Sequence, residues 1–123
     1  MAEPDKALNG LRILVVEDNF RAAEVVRDAL ESSGYAVVGP VGRVQEGLRL
    51  AEHEQLDGAV LDVNLHGDWC FPIAQALRQR GVPFIFLTGY DDVALIPVEL
   101  RPARRLGKPV LGQQLIQALA DVI

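Results

Sequence analysis

Three features of the sequence predict an α/β domain built on a parallel sheet covered by helices on both faces. Short apolar runs alternate with amphipathic segments along the whole chain. The runs are apolar at successive positions, as strands buried on both faces require. Gly and Pro stand at the joints: Gly34, Gly58, Gly67, Gly81 with Pro83, and Pro109. Alternating strand and helix is the pattern of an open parallel sheet.

The elements follow in order. Arg12 to Glu17 holds Ile13, Leu14, Val15 and Val16 and reads as a first buried strand. Asn19 is placed to cap a helix that Gly34 ends, with Ala22, Val26, Ala29 and Ser33 at helical spacing and Val25 and Leu30 beside them. Ala36 to Val41 is a second strand, and Val44, Leu48 and Ala51 mark a second helix. Ala59 to Val63 is a third strand. Asp68 to Arg80 is expected to be a third helix, with Pro72 in its first turn, where a missing N–H costs little. Pro83 to Leu87 is a fourth strand, and Leu111, Leu115, Leu119 and Val122 form the stripe of a last helix.

One stretch departs from this rhythm. Pro97 and Pro102 cut Asp91 to Gly107 short, so a helix there covers only Asp91 to about Ile96. Ala103 to Leu106 is a fifth strand. Arg104 and Arg105 suit it to a sheet edge rather than the interior.

The chain has 123 residues, half of them hydrophobic, enough for one domain with a real core. Residues 1–10 read as a flexible head and 11–123 as the domain. The net charge of −5 argues against nucleic-acid or anionic-membrane binding. Cys70 is the single cysteine, so no internal disulfide forms, and a reducing cytoplasmic location is expected. Met1 to Gly10 has no apolar run, and no stretch approaches the roughly 20 residues that span a bilayer.

The chemistry gathers at strand ends. In an open α/β sheet, ligands bind beyond the carboxyl ends of the strands. The first strand ends in Glu17-Asp18, the third in Asp62, the fourth in Thr88-Gly89 and the fifth in Lys108-Pro109. Packed carboxylates repel one another unless a cation joins them. Hard oxygen ligands suit Mg²⁺, which also takes phosphate oxygens. A carboxylate can attack phosphorus to give an aspartyl-phosphate, while a hydroxyl and an ammonium bind the phosphoryl oxygens.

Taken alone, each residue fits a plainer role. Glu17-Asp18 suits a helix N-terminus, Asp62 a turn and Lys108 a solvated surface. Their joint order is what matters. Glu17-Asp18, Asp62 in Leu61-Asp62-Val63-Asn64, Thr88 and Lys108-Pro109 resemble the signature of the bacterial response-regulator receiver domain over about Leu11 to Ile123. Pro83-Phe84-Ile85-Phe86-Leu87-Thr88-Gly89-Tyr90 also resembles an alphaproteobacterial subgroup of receivers. These are often stand-alone domains linked to histidine kinases of the HWE or related type.

The resemblance implies a flavodoxin-like (CheY-like) doubly wound five-stranded sheet in the order 2-1-3-4-5, with a shortened or irregular fourth helix. It implies that Asp62 accepts a phosphoryl group from a sensor histidine kinase or histidine phosphotransfer protein. Asp18 and Asp62 side chains, the Asn64 carbonyl and Glu17 would hold Mg²⁺. Thr88 and Lys108 would bind the phosphoryl oxygens, and a cis peptide would precede Pro109. Such a domain is a signalling module and not an enzyme in its own right.

Two departures from that family stand out. The position three before the Lys, usually Tyr or Phe, is Arg105. Tyr90 is the natural substitute, which makes Thr88, Tyr90 and Arg105 the switch candidates. Arg101, Arg104 and Arg105 also form a basic patch on an acidic chain, so a downstream protein partner with an acidic surface is expected around Tyr90 to Arg105. The last helix leaves room for a weak homodimer.

His53 and His66 are read as surface residues, Trp69 as packing beside the site, Tyr35 as packing, and Cys70 as a buried small residue. Three other functions fit the pattern less well. A haloacid-dehalogenase-type phosphatase needs a second acid where Asn64 stands. A nucleotide or flavin module needs a glycine-rich loop where Glu17-Asp18-Asn19 stands. A receiver-fold binding module without phosphorylation has no need of the full Glu17, Asp18, Asp62, Thr88, Lys108 set.

Overall fold

A computed structural model describes residues 10–89 and 93–123. The flexible head falls almost wholly outside the described residues, and so does the switch candidate Tyr90. Strands β1 (Arg12–Val16), β2 (Ala36–Val41), β3 (Gly58–Asp62), β6 (Phe84–Thr88) and β7 (Arg104–Gly107) form one parallel sheet in the order β2-β1-β3-β6-β7. Four helices cover it: α1 (Phe20–Ser32), α2 (Val44–His53), α3 (Phe71–Gln79) and α4 (Gly112–Val122). This is the doubly wound arrangement expected from the sequence.

The apolar runs divide by pleat. Leu14, Val16, Ala59, Leu61 and Phe86 face α2 and α3, packing on Ile73 and Leu77. Ile13, Val15, Val60, Ile85 and Leu87 face α1 and α4, packing on Leu30, Leu115 and Leu119. Alternate residues thus enter opposite layers, and each central strand must be apolar throughout. Gly47 lets α2 approach α3, since a Cβ there would lie 2.6 Å from Ile73 Cδ1.

Local signals act as expected in α1. Asn19 Oδ1 accepts from the Ala22 amide at 2.9 Å. Gly34, at φ +94°, closes the helix with Gly34 N–H to Glu31 O and Tyr35 N–H to Leu30 O. The buried face is turned from the expected stripe: Ala23, Val26 and Leu30 are buried, while Val25 is exposed. In α4, likewise, Leu115, Ala118 and Leu119 are buried, while Leu111, at the N-cap before it, is exposed.

Two expectations need correction. The third helix begins at Phe71 and not at Asp68. Asn64–Leu65 (β4) and Asp68–Trp69 (β5) instead form a small antiparallel hairpin. Its two-residue turn, His66-Gly67, has positive φ at both positions (53° and 92°), the geometry that hairpin twist favours. Trp69 stacks on Phe71 with ring centroids 6.1 Å apart.

In place of a short helix ending near Ile96, the described part of that stretch forms two 3₁₀ turns, Val93–Leu95 and Val98–Leu100. Pro97 separates them, and Ile96 and Leu100 anchor them in the α2–α3 layer. The fifth strand of the sheet, β7, is exposed at the edge as its arginines suggest.

Both Gly39-Pro40 and Lys108-Pro109 are cis, the second as expected. Gly39 has φ +102°, and a Cβ there would meet Val15 O at 2.8 Å. Backbone cannot yield as a side-chain tip can. Gly39→Ala should therefore destabilise the fold by about 2–4 kcal/mol, read as a lower urea midpoint at unchanged slope. A midpoint equal to wild type would contradict this account of Gly39.

Candidate functional site

The parallel sheet brings the carboxyl ends of β1, β3, β6 and β7 to one edge, and the predicted residues meet there. Glu17 and Asp18 follow β1, Asp62 ends β3, Thr88 ends β6 and Lys108 follows β7. A carboxylate oxygen from each of Glu17, Asp18 and Asp62 lies within 4.8 Å of the others. Asp62 is 1% exposed and Glu17 4%. Burial at this depth is costly for an unpaired acid, and Lys108 supplies the counter-charge. Its Nζ stands 2.8 Å from Asp62 Oδ2 and 3.6 Å from Glu17 Oε1. The Lys108 amide donates to Thr88 O at 2.9 Å, which ties the lysine to the end of β6.

The electrostatics follow from this crowding. Burial pushes the Glu17 carboxyl up to about 7, and the neighbouring Asp62 adds to the push. For Lys108, burial pulls downward, but Asp62 and Glu17 outweigh it, and its pKa is raised overall. Glu17 Oε2 accepts from the Asn19 amide at 3.2 Å. Glu17 Oε1 is buried without a hydrogen-bond partner. Three clustered carboxylates with one orphaned buried oxygen and a single cation form a donor set of hard oxygens in excess of positive charge. That is the chemistry a divalent cation such as Mg²⁺ requires, so these residues fit one.

The remaining candidates surround the cluster. Asn64 begins the small hairpin. Its amide donates to Asp62 Oδ1 at 3.3 Å, and its own Oδ1 accepts from the Gly67 amide at 2.7 Å. Thr88 is buried, and its hydroxyl reaches Leu106 O at 3.5 Å, the long limit of a hydrogen bond. Arg105 lies away from the cluster, where its Nη1 donates to Arg101 O at 2.9 Å. Cys70 is buried, as expected.

The sequence reading missed one neighbour. His66, expected on the surface, is exposed, yet its Nδ1 contacts Asp18 Oδ2. It lines the same cavity as Asp18, Asp62 and Lys108. Its place four residues after Asp62, next to a turn glycine, was the available signal. A second, mostly apolar cavity of about 490 Å³ adjoins Lys108, between Val25 and Val26 of α1 and Pro109-Val110.

Residues 13–120 match the family model of the response regulator receiver domain. The chain belongs to the response-regulator receiver family. It is 37% identical to SdrG from Sphingomonas melonis Fr1, whose solution structure superposes with a TM-score of 0.79 over 90% of this chain and 94% of that one. The receiver domain of sensor histidine kinase PA1611 from Pseudomonas aeruginosa PAO1 is 27% identical, with a TM-score of 0.79 over 92% and 97% of the two chains. A magnesium ion is coordinated in the active-site cleft of that neighbour. The transcriptional activator protein IrlR of Burkholderia pseudomallei (strain 1026b) is 36% identical over 84 residues, which is 68% of this chain and 36% of IrlR. The receiver spans less than half the length of such curated relatives. No helix among the described residues is long and apolar enough to cross a membrane.

The raised Glu17 value has a consequence for stability without divalent cation. Its folded value lies above its ordinary 4.5, so the folded protein holds this proton more tightly than the unfolded chain. The associated stability is full below about pH 4.5 and is lost as pH rises towards 7. Glu17→Gln should raise the unfolding free energy at pH 8 by roughly 1–3 kcal/mol, with the gain fading by pH 5. Denaturant titrations at the two pH values in EDTA test this, and a gain independent of pH would count against it.

Proposed function

We propose that this receiver accepts a phosphoryl group on Asp62 from a phosphohistidine of a sensor kinase or phosphotransfer protein, in the cytoplasm, and converts it into altered partner binding. The observation that carries the reading is Lys108 Nζ at 2.8 Å from Asp62 Oδ2, inside a cavity shared with Glu17 and Asp18. In the transfer, an Asp62 carboxylate oxygen forms the O–P bond as the P–N bond breaks, and the histidine nitrogen leaves with the electron pair. Lys108 exchanges part of its hold on Asp62 for a phosphoryl oxygen. Thr88 gives up its 3.5 Å contact with Leu106 O, a bond cheap to break, and donates to another phosphoryl oxygen.

The Asp18 and Asp62 carboxylates, the Asn64 carbonyl and Glu17 would hold Mg²⁺, which when bound offsets charge on the transferring group. The exposed apolar Val25, which lines a cavity with Lys108, offers ground for the phosphohistidine-bearing partner.

The output is read on the other side of Thr88. Arg105 Nη1 holds Arg101 O, and Arg101 Nε holds Ile96 O at 3.0 Å, so β7 is tied to the 3₁₀ turns by side-chain bonds. Movement of Thr88 against Leu106 passes through Arg105 to that segment. Exposed Val93, Leu95 and Val98, with the exposed arginines of β7, suit a downstream partner that presents acidic groups around an apolar centre.

Incubation with acetyl phosphate and Mg²⁺ should add one phosphoryl group by intact mass. Asp62→Asn should abolish labelling, and chelation by EDTA should suppress it at least tenfold. Labelling of Asp62→Asn at the wild-type level would overturn the assignment, and absence of labelling in wild type would favour a binding module that works without phosphorylation. Phosphorylation should also speed amide exchange across residues 93–102 several-fold. Exchange that is unchanged there, with changes elsewhere, would rule out this route.

A further inference from the structure

Asp18 carries more than its family role requires of it, because a second side chain holds it. We propose that His66 is a positioning residue for Asp18, fixing the carboxylate that the divalent cation needs and thereby setting the affinity of the site for that cation. The inference rests on the phosphoacceptor reading above and adds to it a residue outside the receiver signature.

The local backbone is arranged around this contact. His66 is the one described residue other than Gly with positive φ, at 53°. A side chain in the left-handed region carries a conformational cost, and here Asn or Gly would serve the turn better. The turn is nonetheless well fixed. Leu65 and Asp68 pair across the hairpin, Asn64 pairs with Trp69, and Asn64 Oδ1 accepts from the Gly67 amide at 2.7 Å. The Cys70 amide donates to Val63 O at 3.0 Å and closes the hairpin onto the end of β3. The turn therefore leans over the acid cluster by construction, and the imidazole it carries meets Asp18 Oδ2 through Nδ1.

The chemistry of the pair is directional. A carboxylate oxygen only accepts, so the Nδ1 that meets it carries the hydrogen. His66 touches Asp18 and lies outside the group formed by Glu17, Asp18 and Asp62. It acts on the cation through Asp18 and not as a ligand. The same carboxylate thus carries both the contact with His66 and an oxygen within 4.8 Å of Glu17 and Asp62. The Asp18 side chain is 14% exposed, against 80% for His66. The imidazole thus adds a contact to a carboxylate that is already largely shielded from water. Groups that orient a metal ligand are commonly worth 10–100-fold in affinity.

The backbone demand supplies the test. His66→Gly satisfies positive φ at no steric cost and keeps the turn, but removes the donor. His66→Asn also tolerates positive φ and restores an N–H donor. Mg²⁺ titrations followed by emission of Trp69, the single tryptophan, give the affinity of each form. The expected result is a dissociation constant about tenfold higher for His66→Gly than for wild type. His66→Asn should recover much of the loss, and the thermal midpoint of His66→Gly in EDTA should be no lower than that of wild type. A purely structural turn residue would give the opposite order, with Gly the better replacement. Equal Mg²⁺ affinity in wild type and His66→Gly overturns the proposal and leaves the phosphoacceptor reading standing. Failure of wild type itself to bind Mg²⁺, together with failure to label at Asp62, overturns both.

Discussion

The structure turns on the charge balance at the carboxyl edge of its sheet. Parallel strands all point their carboxyl ends the same way, and β1 and β3 are neighbours in the sheet. Acids at those ends are thereby forced together, and burial denies them water. The Lys108 ammonium, 2.8 Å from Asp62 and 3.6 Å from Glu17, is the main offset to the resulting repulsion, helped by the Asn19 and Asn64 amides. The balance is incomplete. One positive charge faces three carboxyl groups, Glu17 is driven towards the neutral form, and its Oε1 has no hydrogen-bond partner. An edge built with excess negative charge and spare oxygens is stable enough to fold, yet improved by a cation. Function is thus stored as an electrostatic deficit that the fold tolerates.

Much of this was legible because strand ends are easy to find. Apolar runs with β-branched residues stop abruptly at Glu17, Asp62 and Thr88, and topology brings those stops to one edge. The order of the strands followed from the family signature rather than from the runs themselves. Helix ends were legible where a specific hydrogen bond enforces them, from the Asn19 side chain at the start of α1 and from the backbone at Gly34. Faces were less so. Val25 and Leu111 look like core residues by spacing but border an open surface, because the angle at which a helix crosses the sheet is not written in its period.

The errors share a physical cause, namely elements too short for periodicity to register. Two-residue strands such as Asn64–Leu65 and Asp68–Trp69 carry no alternation to read, and Asp68 resembles a helix cap. The His66-Gly67 turn that joins them is what brings an imidazole to Asp18, so the missed hairpin and the missed neighbour are one omission. The 3₁₀ turns follow the same logic. Pro97 and Pro102 forbid a continuing helix but do not say which residues will anchor the remnant. The burial of Ile96 and Leu100 decides that.

That remnant also bears on how a signal can leave Asp62. A full helix would be held by its own ladder of backbone bonds, and its response would be a rigid shift. Here the segment is held by two buried anchors, by a few short-range backbone bonds such as Leu100 N–H to Pro97 O and Arg101 N–H to Val98 O, and by the guanidinium groups of Arg101 and Arg105 on Ile96 O and Arg101 O. Each such bond is worth about 0.5–1.5 kcal/mol net, since water can replace either partner at an exposed edge. Two conformations that differ by a few bonds of this size lie close in free energy. Under the proposed function, a small differential interaction at Thr88 would then be enough to shift their populations. The arginine in the place of an aromatic switch is consistent with this arrangement. An aromatic ring must find a buried slot to move into. A guanidinium on an edge strand needs only another carbonyl or water, so under the proposed function it could change partners without opening a cavity in the core.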